Sequence, residues 1–471
     1  MSDAAPTHSL FAPREVRGIV LGLTLALFLS SLDQTIVATA LSAIAGDLGG
    51  WELMPWVVSA YLISSTVTTP IYGRLSDLYG RRPVLLASVT IFVLGSALAA
   101  LAPTMLALIA ARVVQGLGGG GLRALALAVV GDILPPRERG KVQGYLSATF
   151  ATANILGPVL GGLFVDALSW HWIFWVNLPL GAAAFGATWF QLRRLPLPGK
   201  TPKIDWLGAA LILCACTPLL IGITFVQRER SWLAPEALLC FGLGLAFTVA
   251  LVAQERVAAQ PMLPLQLFAN RIFTAAICMT GLASMVMMSL VVLVPLHYQT
   301  VAGLPAREAG LRMIAMTMGT VIGSFAAGQA VSRTGRYRAL LLGGTAVATA
   351  MCLFVGWFGL GHSLAVDSVV TLALGLAFGC CFSPSTIIVQ NALPPRDGGL
   401  GVSCMMFFRL MGGAFGVAFL SSLLLGALPA GASGAAAEPA FAMVFEAAAA
   451  IAALAMVASL MLKEIPLRGR E

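Results

Sequence analysis

A chain of 471 residues with 59% hydrophobic and only 10% charged side chains cannot present an ordinary soluble surface, where about a quarter of residues carry charge. With a mean hydropathy of +0.91 it belongs among integral membrane proteins. The net charge of +8 need not signal nucleic acid, because its distribution along the chain decides its meaning. The stretch 1–17 is too polar for a cleaved signal, so the first apolar run is expected to act as the insertion signal. Eight cysteines show no metal-ligand spacing, and Cys214/Cys216 and Cys380/Cys381 fall inside apolar runs. They read as packing thiols, with no metal and no disulfide implied.

Apolar runs of spanning length lie at 18–41, 53–73, 84–102, 104–131, 142–166, 172–192, 205–226, 236–253, 272–296, 309–331, 338–358, 364–391, 400–426 and 440–462. The expectation is therefore an all-α integral membrane protein of fourteen helices. The 104–131 run is long enough to tilt or protrude. With the N-terminus in the cytoplasm, inside loops hold Arg74, Arg81, Arg82, Arg137, Arg139, Lys141, Arg193, Arg194, Lys200 and Lys203. Later inside segments add Arg256, Arg271, Arg333, Arg336, Arg338, Arg396, Lys463, Arg468 and Arg470. Outside loops keep little beyond Arg228, Arg230, Arg307 and Arg312. That asymmetry explains the net charge without an acidic partner and places both termini in the cytoplasm.

The first run contains Asp33. A carboxylate at that depth costs roughly 2.5–3.5 kcal/mol on insertion scales unless it faces a wet cavity or a partner, and intramembrane acids are functional sites by default. Asp33 is the candidate proton or cation site. A static helix-packing role is the alternative. Between the second and third runs, GRLSDLYGRRP (73–83) places Gly73 for close backbone approach and lets Asp77 pair with Arg81 or Arg82 across the turn at Gly80.

The full string resembles the signature loop of the major facilitator superfamily, G-x-L-[AS]-D-x-x-G-R-[RK]. In that family the loop latches the two halves and gates alternating access. Further strings resemble the same family in its order. ARVVQGLGGGG (111–121) is similar to R-x-x-Q-G in span four. NILGPVLGG (154–162) is similar to the G-P-x-x-G-G antiporter motif, giving Gly157, Pro158, Gly161 and Gly162. SWHWIFWVNLPLG (169–181) is similar to the string leading into span six. LDQTIVATAL around Asp33 and DWLG (205–208) resemble the fourteen-span drug:proton antiporters. The resemblance implies proton coupling through Asp33 and Arg112, with the proton gradient as energy source and no cofactor.

Gly116-x-Gly118-x-x-Gly121 satisfies a dinucleotide fingerprint formally, but no strand precedes it, and no phosphate-binding G-x-x-x-x-G-K-[ST] occurs. Gly116/Gly120 and Gly157/Gly161 read instead as small-xxx-small contacts between helices. Pro158 would bend its span locally. GQAVSRTGRYR (328–338) echoes the first loop, with Ser332 where Asp77 stood, and reads as packing more than gating. The two copies imply two six-helix halves, 1–192 and 257–471, with a cytoplasmic linker and two inserted helices at 193–256.

Asp33 and Arg112 each lie about eight residues, ~12 Å, from the outer end of their spans. Arg112 would favour the ionised carboxylate, and protonation would weaken the pair and change the preferred facing state. Arg123 is eleven residues beyond Arg112 and returns to nearly the same helix face. It either lines the inner half of a cavity, favouring anionic or zwitterionic substrates, or snorkels towards the headgroups and Asp132. Arg409 is a third intramembrane arginine. Asp166, Asp367 and Glu446 are expected to be solvated or interfacial near outer ends, as is His297. Met279, Met285, Met287, Met288, Met313, Met316 and Met318 suit polyspecific packing weakly. The candidate substrate-cavity set is Gln34, Gln115, Arg123, Asn154, Met285, Met288 and Arg409.

The reading is a proton-coupled exporter of amphipathic small molecules, as in multidrug efflux and antibiotic resistance. It is expected as a monomer in a bacterial inner membrane, with a small-molecule or lipid-like substrate, protons and the bilayer as partners, and no nucleic acid. The alternative is an exporter or flippase of an endogenous lipid or anionic metabolite. A polytopic glycosyltransferase would want acidic outer loops that are absent here, and a transport-dead sensor would be expected to have lost Asp33 and Arg112.

Overall fold

A computed structural model describes residues 13–50, 53–134, 136–193, 205–229, 231–258, 261–263, 265–361, 363–394, 397–428 and 434–464. The expected inside cations Arg194, Lys200, Lys203, Arg396, Arg468 and Arg470, and the outside Arg230, lie outside those residues. The side chains of Arg137, Lys141, Arg307, Asn154 and Pro158 also fall outside the description.

The chain is helical throughout its described length. The first group is α1 (Pro13–Leu48), α2 (Met54–Tyr79), α3 (Arg81–Ala100), α4 (Met105–Ile133), α5 (Pro136–Ala167), the single turn α6 (Trp172–Trp175) and α7 (Asn177–Gln191). A hairpin follows, α8 (Trp206–Glu229) and α9 (Pro235–Val257). The last group is the short α10 (Gln266–Ala269), α11 (Arg271–Thr300), α12 (Ala306–Thr334), α13 (Arg338–Phe358), α14 (Leu364–Ala392), α15 (Gly398–Ala427) and α16 (Glu438–Leu460). Local signals set several boundaries. Thr104 caps α4 by accepting from the Ala107 N–H at 3.2 Å. Asn270 accepts from Ile272 and Phe273 at the start of α11. Gly80, at φ +92°, separates α2 from α3, and Gly335, at φ +68°, ends α12 in the left-handed conformation.

Among the described residues, twelve helical stretches are long and apolar enough to cross a membrane, so the expectation of fourteen spans exceeds what length and apolarity support. The two not counted among them are α2 and α5. In α2 a run of Ser64, Ser65, Thr66, Thr68 and Thr69 lowers the hydropathy. Ser64, Thr68 and Thr69 donate to carbonyls one turn back, at 2.7–2.8 Å, so their hydroxyls are satisfied within the helix. In α5 several positions lie outside the described residues, which interrupts the stretch that can be counted. Both are nonetheless long helices, of 26 and 32 residues, packed against their neighbours.

The apolar clusters follow these three groups of helices. Residues from Ile19 to Leu192 form the packing of α1–α7. Residues from Leu267 to Leu462 form that of α10–α16. A separate cluster joins α8 and α9 to one edge each of α2 and α15, with Ile212, Ala215, Leu220 and Ile223 against Val67 and Ala418. The two large groups meet where α5 packs on α12, α2 on α15 and α4 on α15. The hairpin lies along the α2–α15 seam.

Candidate functional site

The first site is a polar knot inside the α1–α7 group. Asp33 of α1 has no exposed surface. Its Oδ2 accepts from Arg112 Nη1 at 2.5 Å, and its Oδ1 accepts from Gln115 Nε2 at 2.7 Å and Asn177 Nδ2 at 3.0 Å. Arg112 also donates Nε to the Val57 carbonyl at 3.1 Å and Nη1 to Gln115 Oε1 at 2.6 Å. Its guanidinium sits 4.3 Å from the Tyr61 ring centroid, a cation–π contact. Ser96 of α3 accepts from Gln115 and Asn177 at 2.9 and 2.8 Å and donates to the Phe174 carbonyl at 3.3 Å. Five packed elements therefore converge on one carboxylate. A buried charge is tolerable only when paired and hydrogen-bonded in this way.

Glycines of α4 make the convergence possible. A Cβ at Gly116 would strike Ser64 and Tyr61 of α2, and one at Gly118 would strike the Phe92 backbone of α3. The formal dinucleotide fingerprint is thus a close helix contact on two faces.

The second site is a latch between the groups. Asp77, at the end of α2, accepts from the Gly399 and Leu400 N–H groups at 3.1 and 2.7 Å, capping the N-terminus of α15. Arg81 pairs with Asp77, donates Nη1 to Ser76 Oγ at 2.5 Å, and donates Nε to Asp132 of α4 at 2.6 Å. Gly73 lies against Ser403 and Gly399, where no side chain would fit. Of the two candidate partners for Asp77, Arg81 is the one used. Arg82 turns away and lies 4.4 Å over the Trp189 ring. Gln390 of α14 adds a second tie at this end, donating to the Leu127 carbonyl of α4 at 2.9 Å. In the second loop copy, Ser332 donates back to the Gly328 carbonyl at 2.8 Å, while Tyr337 and Arg338 hold the carbonyls of Lys463 and Leu460 at 2.6 and 3.1 Å.

The glycines of the 154–162 string pack α5 onto α1. Gly157 faces Thr35, and Gly161 faces Thr39 and the Ile36 carbonyl, while Gly162 has open space. Thr35 donates across to the Ala153 carbonyl at 3.1 Å. The third feature lies in the seam. Arg123 of α4 is within electrostatic reach of Tyr61 and Asp33, and its Nη2 is enclosed without a hydrogen-bond partner. Arg409 of α15 lies 3.7 Å over the Phe382 ring of α14, within electrostatic reach of Arg123. Gln34 sits beside the Tyr61 hydroxyl. Met288 and Met285 pack against Gly413 and Gly416 between α11 and α15.

The profile of the Major Facilitator Superfamily matches residues 23–417. The chain belongs to that superfamily. Its members are transporters of small molecules rather than enzymes, and this one is a multi-pass membrane protein. It is 34% identical over 414 residues to "Multidrug transporter protein MdtP" of Bacillus subtilis, covering 86% of this chain and 75% of that one. It is 33% identical over 412 residues to "Multidrug resistance protein 3" of the same organism, covering 86% and 79%. "Efflux pump FUS6" of Gibberella fujikuroi is 29% identical over 407 residues, covering 85% and 73%. The fold is shared with the proton:xylose symporter XylE (TM-score 0.66, 14% identity, 95% of each chain). It is shared equally with a bacterial homologue of ferroportin (TM-score 0.67, 14% identity, 94% and 98%).

Within this major facilitator, several expected placements change. Of the two placements open to Arg123, pairing with Asp132 is not seen among the described residues; Arg81 holds that carboxylate. Asp367 is not solvated at an outer end. It is 1% exposed, paired with Arg312, and accepts from the Gly361 N–H at 3.1 Å. His297 is likewise buried, 5.1 Å from Phe441 and 5.8 Å from Phe445 between ring centroids. Asp166 and Glu446 are exposed as expected. Sequence reasoning missed Tyr61, Ser96, Asn177 and Gln390. Asn177 lay in plain view as the asparagine of the WVNLPLG string, whereas Ser96 is one small polar residue in an apolar span and gives no signal.

Proposed function

We propose that this major facilitator is a proton-coupled exporter, an antiporter of protons and amphipathic small molecules that works by alternating access and needs no cofactor beyond the proton gradient. The observation that carries the proposal is Asp33, fully buried in an apolar helix and held by Arg112, Gln115 and Asn177. In the charged state the guanidinium and two amide N–H donors fix the carboxylate. Protonation removes the charge, weakens the pair with Arg112 and loosens α1 against α4. Release of Arg112 changes the field at Tyr61 and the seam, where substrate would sit between the two groups of helices. Proton and substrate then compete for one conformational cycle, which is antiport.

The finer architecture belongs to the same proposal. Counting α2 and α5 as spans gives fourteen. They form two six-helix halves at 1–192 and 257–471, with the segment 193–256 carrying the inserted hairpin. The Asp77 end carries Arg81, Arg82, Arg139, Arg193, Arg333, Arg336, Arg338 and Lys463, which supports its assignment to the cytoplasm with both termini. The conformer described is then closed towards the cytoplasm, since Asp77 and Gln390 bridge the halves at that end. Multidrug efflux fits the relatives' names, and the proposal completes it with a monomer in a bacterial inner membrane that serves antibiotic resistance.

The test uses purified protein in proteoliposomes containing a pH dye, under an imposed proton gradient. Amphiphiles should evoke proton flux in wild type and none in Asp33→Asn, with the variant still monodisperse. Undiminished flux in Asp33→Asn would remove the assigned role.

A further inference from the structure

We propose that the seam between the two helix groups is an anion site, in which Arg123 and Arg409 together bind the acidic group of an amphipathic substrate. The inference rests on the exporter reading and names its substrate class. Arg123 lies ten residues before the end of α4 and Arg409 eleven after the start of α15, each about 15 Å from the latch end at 1.5 Å per residue. The two cations are therefore level, near mid-membrane, and come from opposite groups of helices.

Charge accounting gives the site its sign. Asp33 is taken by Arg112, Asp132 and Asp77 by Arg81, and Asp367 by Arg312. Among the described residues no carboxylate pairs with Arg123 or Arg409, and Arg123 Nη2 is enclosed with nothing to donate to. Two unneutralised guanidinium groups in a membrane interior are unfavourable, and they repel one another across the seam. An anion placed between them removes both penalties. It also presents oxygen acceptors that match the planar N–H fork of arginine.

The surroundings suit the rest of such a molecule. The Phe382 ring packs under Arg409, Phe378 stacks beside it at 6.3 Å, and Leu127 bridges the apolar cores of both groups. The substrate is thus an apolar or aromatic body bearing a carboxylate, sulfonate or phosphate. Because one arginine comes from each group, bound anion draws them together at mid-membrane.

Three dyes with one xanthene body test this: fluorescein (anionic), rhodamine B (zwitterionic) and rhodamine 6G (cationic). Their binding is read by fluorescence polarisation to wild type in lipid nanodiscs at pH 7.5. Affinity should fall in that order, with at least a tenfold gap between the first and last. Arg123→Gln and Arg409→Gln should each weaken fluorescein at least tenfold more than rhodamine 6G, and the lysine variants should lose less. The wild-type order stands even if a glutamine variant does not fold. Tighter binding of rhodamine 6G than of fluorescein by wild type, or no fluorescein binding, would overturn the anion site. Proton-driven efflux of rhodamine 6G with no fluorescein binding would leave the exporter reading standing without this site. Fluorescein binding with no proton-driven flux would do the reverse.

Discussion

Replacing Asp77 by asparagine keeps the shape of the latch and removes its charge. The ion pair with Arg81 lies within one helix group, so it is present whether the latch is open or closed and does not bias that equilibrium. The two bonds that cross to α15 do. They join the carboxylate to the Gly399 and Leu400 N–H groups at 3.1 and 2.7 Å. Bonds to a charged acceptor are worth roughly 1.5–3 kcal/mol each, against about 0.5–1.5 for neutral ones. The difference over two bonds is about 2–3 kcal/mol, and each 1.4 kcal/mol is tenfold. The closed population should therefore fall about 30- to 150-fold relative to the open one. Spin labels at Tyr79 and Thr334, both exposed at this end, in a cysteine-depleted background would report the change as a longer distance distribution. Arg82→Ala is the control: Arg82 stacks on Trp189 and should leave the distribution alone. Conformational cycling should slow more than ligand binding weakens. An unchanged distribution in Asp77→Asn, or a shift as large in Arg82→Ala, would refute the latch.

Two further substitutions probe buried polar groups elsewhere. Asn177→Ala removes a donor shared by Asp33 and Ser96, and at about 1.5–3 kcal/mol for a charged bond it should cut proton-evoked flux roughly 10- to 100-fold with the fold intact. Flux at the wild-type level would make Asn177 a packing residue. Arg312→Met strands the buried Asp367 and should destabilise the protein by about 3–5 kcal/mol, lowering its thermal midpoint in detergent. Adding Asp367→Asn should restore most of that loss, and a double variant no better than the single one would show that the pair is not what holds this end.

The sequence signals that worked were those in which membrane burial leaves a residue few uses. Asp33 and Arg112 stand out because a charge inside an apolar run needs a partner, and their matching depths place each within reach of the other. The glycine run of α4 was legible as close packing, because glycine is a poor helix former retained where another backbone must approach. Failures came where the decisive partner sits far away in the chain. Nothing local distinguishes Asp367, buried against Arg312 from another helix, from the exposed Glu446. The placement of Arg123, lining a cavity or snorkelling towards the headgroups and Asp132, stays open in the sequence for the same reason, since the partner of Asp132 is Arg81, 51 residues away. The count of fourteen spans goes beyond the twelve that length and apolarity support among the described residues. Hydroxyls bonded to their own helix backbone make α2 look more polar than its buried surface is.

Helix α4 ties these sites into one body. Arg112 holds the carboxylate, Arg123 reaches the seam and Asp132 is gripped by the latch. Along a 3.6-residue helix, the eleven-residue step from Arg112 to Arg123 returns to the same face, while the nine-residue step to Asp132 turns to the opposite one. Gly116 and Gly118 seat the helix directly on α2 and α3, leaving little room for side chains to absorb a displacement. A change at Asp33 therefore has to be taken up by moving α4 with its neighbours as a unit, and α2 carries Asp77 at its far end. That gives the proposed proton site at Asp33 a physical route to the Asp77 latch, with the two seam arginines lying between them.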